Sequence, residues 1–271
     1  MLCFFSLNTI LVLFSFLKLF EAASHLNLKE TVPKVRNQFL TIALSFLFLP
    51  PRYIEKGNIS HKKKNTVINY AIINDSKVIY DELHLAATGL SEKAFDYAYR
   101  GYQYLVKKQK LINTGIFAIC DLSQSSNKKR LYILDLANNK VLLTSYVAHG
   151  RGSGAEYAMR FSNKSRSHQS SLGFYITSST YYGEHGLSLR LQGLEPGFNN
   201  LAMKRNIVVH GAAYISDEYL NSNKFMGRSY GCPAVPEDEC AEIIDLIKNG
   251  ACFFIYHPTK KYLQSSKILK G

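Results

Sequence analysis

The sequence predicts a mainly β fold, with one helix near its C-terminal end and a small helical module ahead of the strands. Short runs rich in β-branched and aromatic residues recur between residues 116 and 256, separated by Gly, Asn and Ser. This alternation is typical of strands and turns. The chain has 271 residues, and 46% of them are hydrophobic, including 18 Tyr and 16 Phe. A chain of this length and composition can bury a substantial core.

Seven runs are predicted to form strands, and one pair of them is predicted to form a hairpin. The hairpin turn is Ala137-Asn138-Asn139-Lys140, where Asn tolerates a positive φ. By contrast, residues 149–171 are rich in Gly, Ser, Asn and Arg and are predicted to form a long loop. The predicted strands are 116–122, 131–136, 141–148, 174–177, 187–191, 207–209 and 251–256.

Two helices are predicted from apolar spacing. The first runs over 91–110 with Ser91 as its cap, and its apolar residues recur at intervals of three and four, which is typical of a packing face. Together with 83–90 it makes the helical module. The second follows Pro236, which precedes three acidic residues, and Asn249-Gly250 ends it.

The chain is divided into four segments by composition. Residues 1–50 hold two apolar runs, 2–20 and 39–49, which predict export and proximity to a membrane; which run is the export signal stays open. Residues 51–113 are a basic lead-in with the helical module, 114–262 are the β domain, and 263–271 are a tail. The export prediction places the protein in the periplasm or cell envelope.

The net charge of +13 favours an anionic partner such as acidic membrane surfaces or a carboxylate-rich polymer. No long basic helix, zinc-finger spacing or aromatic RNA-binding motif is present in the sequence, so a nucleic-acid partner is not expected. The spacing of the five cysteines contains no CxxC, and we expect no metal site. Cys120, Cys240 and Cys252 fall in predicted core positions, with one disulfide among them left open.

Cys232 differs from the other cysteines because of its setting and its histidine partner. The run Ile207-Val208-Val209 predicts a buried strand that carries His210 at its end, and Cys232 follows 22 residues later between Gly231 and Pro233. An imidazole that titrates near neutrality is the usual base for activating a thiol. The predicted helix after Pro236 would also place the thiol just before a helix N-terminus, where thiolates are favoured. These residues predict nucleophilic catalysis by Cys232 with His210 as its base.

Three ordered motifs resemble the catalytic domains of the L,D-transpeptidase (YkuD-type) family. They are His210-Gly211 followed by Ser229-Tyr230-Gly231-Cys232, the run Ser171–Thr177, and the run Val147–Gly152. The Gly-Cys-Pro variant resembles the murein L,D-transpeptidase subgroup. The resemblance spans about residues 116–260. It implies a β-sandwich or partly open barrel in 114–262, the helix after the cysteine, and no cofactor.

The resemblance implies acyl transfer on peptidoglycan stem peptides through a thioester on Cys232, with His210 as base. The N–H groups of Gly231 and Cys232, with Tyr230, are expected to stabilise the oxyanion. Two positions depart from the usual family pattern. Tyr230 replaces a His, and Pro233-Ala234 replaces an apolar residue followed by Arg or Asn. Substrate contacts are expected among Ser229, Arg228, His149, Arg151, Arg190 and Tyr175.

Two other functions remain open besides transpeptidation: an L,D-carboxypeptidase that trims stem peptides, and a non-catalytic cell-wall-binding module. A sortase-type transpeptidase also places His before Cys, but it is disfavoured because it expects a longer separation and an Arg shortly after the Cys. No Arg follows Cys232 in this sequence.

Overall fold

The computed structural model describes residues 76–271, so the predicted export signals and most of the basic lead-in lie outside the described residues. Eight strands form one mixed sheet in the order β3-β2-β1-β8-β4-β5-β6-β7. Neighbouring strands are antiparallel except for the pairs β1–β8 and β6–β7, which are parallel. The predicted mainly β fold is confirmed. The strands are β1 Asn113–Asp121, β2 Leu131–Asp135, β3 Lys140–Ser145, β4 Gly173–Gly183, β5 Gly186–Gly193, β6 Val208–Gly211, β7 Ala234–Val235 and β8 Ala251–Tyr256.

Seven α-helices are found in the described residues. Three lie before the sheet: α1 Ser76–Glu82, α2 Leu85–Thr88 and α3 Glu92–Lys107. The hydroxyl of Ser91 accepts a hydrogen bond from the Ala94 N–H at 3.2 Å, which confirms the predicted cap. The remaining helices are α4 Asp217–Ser222, α5 Cys240–Ile247, α6 Lys260–Ser265 and α7 Lys267–Lys270, and a 3₁₀ turn covers Met203–Arg205.

The central strand β8 is buried along its whole length and organises the core. Its Phe254 stacks on Phe174 of β4 with ring centroids 4.0 Å apart. Helix α3 packs its buried stripe on the same layer, and α5 covers the sheet with Ile243, Ile244 and Ile247. The helical module and the β sheet therefore share one hydrophobic core.

Residues 263–271 differ from the predicted tail. They contain α7, whose Ile268 and Leu269 are buried in the main core and which contacts α3. The buried carboxylate of Glu195 accepts hydrogen bonds from the Phe174 N–H and from the hydroxyl of Tyr262, at 2.8 and 2.9 Å, and from Ser266. These contacts fix the C-terminal helices to β4, which explains why a short apolar segment at the end of the chain is ordered.

None of the helices within residues 76–271 is both long enough and apolar enough to cross a membrane.

Gly101 provides a test of how closely α3 approaches the sheet. A Cβ atom at Gly101 would lie 2.0 Å from Cζ of Phe174. Alanine favours a helix over glycine by about 1 kcal/mol, but overpacking a core costs about 1–3 kcal/mol. We therefore expect Gly101→Ala to lower the free energy of unfolding by about 1 kcal/mol, measured by urea denaturation. The double variant with Phe174→Leu should recover part of this loss. A single Gly101→Ala variant more stable than the parent would contradict the packing.

Candidate active site

His210 lies in β6, buried between two neighbouring strands. Its backbone position is opposite Ser188 of β5 and Ala234 of β7. The imidazole Nδ1 lies 2.9 Å from the Gly211 carbonyl oxygen. Because a carbonyl can only accept, Nδ1 carries the proton and Nε2 holds the free lone pair. Nε2 is therefore the ring nitrogen that can accept a proton.

Cys232 lies on a tight turn that runs from Ser229 into β7. Gly231 has φ of +128°, a conformation that residues with a side chain rarely adopt. The Gly231 N–H donates to the Ser229 hydroxyl at 3.0 Å, and that hydroxyl donates to the Cys232 carbonyl at 2.6 Å. Ser229 is buried, so its side chain braces the turn instead of facing a substrate.

The turn is also held from the side by the segment at the end of the predicted strand 141–148. The Ala148 N–H donates to the Ala234 carbonyl at 2.7 Å, and the Arg151 N–H donates to the Ser229 carbonyl at 2.8 Å. Gly150 and Ser229 form a parallel bridge. The turn from Ser229 to Cys232, called the nucleophile turn below after its predicted role, thus lies between this segment and β6. Both neighbours fix its position.

The pairing of β6 with β7 brings Cys232 close to the strand that carries His210. Cys232 stands two residues before Ala234, the register partner of His210. Its thiol donates to the Asn206 carbonyl at 3.5 Å, just upstream of β6. In the described residues there is no direct hydrogen bond between the Cys232 thiol and the His210 imidazole. The two groups lie beside the same strand, and the thiol rests on a backbone carbonyl.

The two groups are both held in their neutral forms at neutral pH. Burial, with a smaller contribution from His185, lowers the pKa of His210 below its ordinary 6.5, and the Gly211 carbonyl partly opposes this. Part of the Cys232 residue is accessible, but protein surrounds its sulfur, and this burial raises the pKa of the thiol above its ordinary 9.0. The Val208 N–H and Arg205 act in the opposite direction on the thiol.

The free donors near the thiol differ in part from the predicted set. The Gly231 N–H is occupied by Ser229, so it is not available to an oxyanion in this geometry. The N–H groups of Tyr230 and Cys232 have no acceptor in the part of the chain that the structure describes. These two amides are therefore the donors that remain open.

The predicted helix-dipole effect on Cys232 is wrong in its geometry. Helix α5 begins at Cys240, and β7 separates it from Cys232. Pro236 and the acids after it form a turn that precedes the helix, because Ala234 and Val235 pair with β6. The dipole decays within a turn, so it does not reach the thiol.

A cleft of about 560 Å³ opens beside His210. His185 is exposed and lines it, and its ring stacks on the His210 ring with centroids 4.4 Å apart. Gly211 and Tyr214 form another part of the wall.

An exposed rim of basic and aromatic side chains lies beside the nucleophile turn. The Arg151 guanidinium lies 4.3 Å from the Tyr230 ring centroid, and its Nη1 lies 3.2 Å from the Tyr230 hydroxyl. His168 meets the other side of this ring edge-on at 4.6 Å. Tyr230 remains 62% exposed. Arg228 is also exposed and donates to the Gly154 carbonyl at 2.8 Å.

Three residues predicted to contact a substrate have other roles in the structure. His149 is buried, and its Nδ1 accepts from Arg130 at 2.8 Å; burial and then Arg130 lower the pKa of His149 to about 3. Tyr175 is buried and donates to the Ser171 carbonyl at 2.9 Å. Arg190 is half-buried, donates to the Ser179 hydroxyl and stacks on Tyr181. Strand alternation alone does not distinguish the inner face from the cleft face, so the sequence left the surroundings of these side chains open.

Sequence reasoning missed three residues near the site. Arg130 is fully buried beneath the segment that flanks the turn and donates to the carbonyl of Val147. Tyr214 lies close enough to Cys232 that burial, followed by the thiol, raises the pKa of Tyr214 to about 12. Arg205 contacts the loop 162–171 and lies beside Gly231. No sequence motif marks any of the three, because they come close to the site only where segments distant in the sequence pack together.

The four cysteines within residues 76–271 are all free, so Cys120, Cys240 and Cys252 form no disulfide. No group of three or more His, Cys, Asp or Glu in this part of the chain is arranged to hold a metal ion.

Comparisons with known proteins give the family. A family model described as the L,D-transpeptidase catalytic domain matches residues 86–256, which is more than half of the chain. No curated protein matches the sequence.

Solved structures of L,D-transpeptidases are similar to this chain at low identity. One is from Mycobacterium smegmatis (11% identity, TM-score 0.33), covering 53% of this chain and 59% of that one. Another is from Xylanimonas cellulosilytica DSM 15894 (18%, 0.31), covering 52% of this chain and 60% of that one. A third is from Mycobacterium tuberculosis H37Rv (11%, 0.32), covering 53% and 58%. This chain thus spans less than two thirds of each of them.

On the strength of the family model, the chain belongs to the L,D-transpeptidase catalytic-domain family.

Proposed function

We propose that the protein is a cysteine-dependent acyltransferase that acts on peptidoglycan stem peptides and forms or remodels cross-links through a thioester. The observation that carries this proposal is the pairing of the nucleophile turn with the strand of His210. Cys232 stands two residues before the register partner of His210. The family and the net charge of +13, which suits a carboxylate-rich polymer, support the substrate class.

The proposed reaction begins with a neutral pair. The thiol leaves the Asn206 carbonyl, and His210 Nε2 accepts its proton as the sulfur attacks the peptide carbonyl carbon. Catalytic hydrogen bonds are often long in unliganded enzymes and tighten when substrate binds. Because the pKa of Cys232 is raised and that of His210 is lowered, a preformed thiolate–imidazolium pair is disfavoured. His210 therefore acts as a general base during the attack.

The oxyanion that forms would be stabilised by the free N–H groups of Tyr230 and Cys232. One such donor contributes about 3 kcal/mol to catalysis. The imidazolium then returns its proton to the leaving amine, which produces a thioester on Cys232. An amine from another stem resolves the thioester in transpeptidation, and water resolves it in carboxypeptidase activity. No metal or organic cofactor takes part in this scheme.

The substrate surface is proposed to be the rim and cleft on either side of the turn. Arg151 and Arg228 are exposed cations beside Tyr230, and a stem peptide offers carboxylates to them. Export to the periplasm or cell envelope, through one of the N-terminal apolar runs, is part of this proposal because peptidoglycan lies outside the cytoplasm.

Cys232→Ala tests the nucleophile. The protein is incubated with purified muropeptides, and the products are identified by mass spectrometry. We expect the parent to give cross-linked dimers or exchange of an added D-amino acid, and Cys232→Ala to give neither, because no other described thiol lies beside β6 and is accessible. Loss of a terminal D-alanine alone would identify a carboxypeptidase.

The matched control for this experiment is Cys252→Ala, which removes a buried thiol of β8. It should retain activity. Product formation by Cys232→Ala at the parental rate would contradict the proposed mechanism. A complete lack of products, with Cys232 unreactive to iodoacetamide, would favour the non-catalytic wall-binding module.

The pH dependence tests the role of His210. Only the neutral imidazole accepts a proton, and the pKa of His210 is lowered, so kcat/KM should rise with pH to a midpoint below 6.5 and remain high at neutral pH. His210→Gln should reduce kcat/KM by about 10²–10⁴-fold. His257→Gln is the control, since the His257 ring packs against Phe161 at a tilt and contacts neither His210 nor Cys232 among the described residues. An acid limb that persists unchanged in His210→Gln would rule out this assignment.

A further inference from the structure

Arg205 occupies a position between two segments that the active site needs. It ends the 3₁₀ turn Met203–Arg205, five residues before His210, and is half-buried. Its guanidinium donates from Nη1 to the Ser162 carbonyl at 2.7 Å and from Nη2 to the Gln169 carbonyl at 2.7 Å. It also donates to the hydroxyls of Ser171 and Ser167. Arg205 therefore ties the loop 162–171 to the 3₁₀ turn that leads into β6.

The same guanidinium touches the nucleophile turn. A Cβ atom at Gly231 would lie 3.2 Å from Nη2 of Arg205 and 2.9 Å from the Gln169 carbonyl oxygen to which Nη2 donates. The residue after Arg205, Asn206, provides the carbonyl on which the Cys232 thiol rests. Because Gly231 has no side chain, the guanidinium of Arg205 can approach the turn closely.

The charge of Arg205 has no carboxylate partner in the described part of the chain. Its hydrogen-bond acceptors are carbonyl and hydroxyl oxygens, and it takes part in none of the ion pairs found between residues 76 and 271. A half-buried cation that is solvated only by neutral groups leaves its field available to a nearby anion. In the proposed reaction, negative charge develops at this place on the sulfur of Cys232 as His210 takes the thiol proton.

We propose that Arg205 is a positioning residue for Cys232: it holds the loop 162–171 against the Gly231–Cys232 turn, and its positive charge stabilises the thiolate. This inference rests on the proposed function of Cys232 as the nucleophile. Arg205 acts through the cysteine and does not itself need to touch the substrate.

The other charged and polar groups around the sulfur do not duplicate this role. Burial raises the pKa of Cys232, and Arg205 and the Val208 N–H lower it. In return, Cys232 raises the pKa of Arg205 against the effect of burial. Tyr214 is the remaining titratable neighbour whose pKa responds to the thiol, and it is neutral at physiological pH. His210, beside the same strand, is also neutral there. Arg205 is thus the cation that acts on the thiol.

The experiment measures the rate of iodoacetamide alkylation of Cys232 as a function of pH in the full chain. The modified peptide is quantified by mass spectrometry, so the buried cysteines do not contribute. An opposite charge nearby lowers a pKa by about 1–3 units, and the lower end applies to this half-buried pair. Arg205→Gln should therefore shift the profile up by about one pH unit, which makes alkylation about tenfold slower below the midpoint.

Two variants separate charge from general structure. Arg205→Lys keeps the charge but loses the planar fork that binds the loop, so its alkylation rate should lie between those of the parent and Arg205→Gln. Lys204→Gln removes an exposed charge from the same turn and should leave the profile unchanged. The proposal is overturned if the Arg205→Gln profile overlaps that of the parent. It is also overturned if the alkylation rate of Arg205→Lys falls as far as that of Arg205→Gln, because the positive charge would then have no effect on the thiol.

If the circular dichroism spectrum of Arg205→Gln differs from that of the parent, the variant is misfolded. The proposal is then tested by how the alkylation midpoint of the parent depends on salt. Salt screens the attraction between a cation and a thiolate, so the alkylation midpoint should move to higher pH at high salt. A midpoint independent of salt would overturn the proposal.

The alkylation readout is independent of acyl transfer. A shifted profile in a protein that transfers no acyl group would refute the proposed function and leave the coupling of Arg205 to the thiol intact. If the parent transfers acyl groups but the Arg205→Gln profile is unshifted, the proposed function stands and the coupling of Arg205 to the thiol is refuted.

Discussion

The site depends on one short parallel pairing, that of β7 with β6. Two residues of β7 align with His210 and Gly211, and this register sets where the preceding Cys232 stands. The pairing is supported from the other side by the Ala148 N–H, which donates to the Ala234 carbonyl. A slip of one residue would turn every side chain of the strand to the opposite face. The distance between base and nucleophile is therefore controlled by backbone hydrogen bonds and not by the side chains themselves.

Near this pairing, two uncharged groups, the Cys232 thiol and the His210 imidazole, lie close to the positive charge of Arg205. Burial keeps both the thiol and the imidazole uncharged at neutral pH, because a low-dielectric setting disfavours ions. Arg205 lies beside Gly231 of the turn, and its charge acts to lower the pKa of the Cys232 thiol. Such a site protects a resting thiol from adventitious reaction, since the thiolate is the reactive form. Under the proposed mechanism, the sulfur becomes nucleophilic when His210 takes the proton, with the cation of Arg205 already in place.

Sequence reasoning recovered the strands, the cap at Ser91 and the family, but it did not determine the surroundings of several side chains. Local propensity and period-two patterns identify a strand such as the one that carries Tyr175, yet they do not say which face is covered. His149 lies in a family-like motif beside glycines, and the structure places it against Arg130 in the interior. The helix after Pro236 begins later than predicted, at Cys240, because residues 237–239 first form a turn in which the Cys240 N–H donates to the Glu237 carbonyl.

The sequence by itself determined the chemical types that are available: one cysteine in a glycine turn, one histidine at a strand end, and the order in which they occur. These are properties of local composition and spacing. Only the tertiary structure decided which groups surround them, including Arg205 against Gly231 and the Ser229 hydroxyl on the Gly231 N–H. The physical reason is that these contacts join segments far apart in the chain, and their register is fixed by sheet pairing and core packing, neither of which leaves a local pattern.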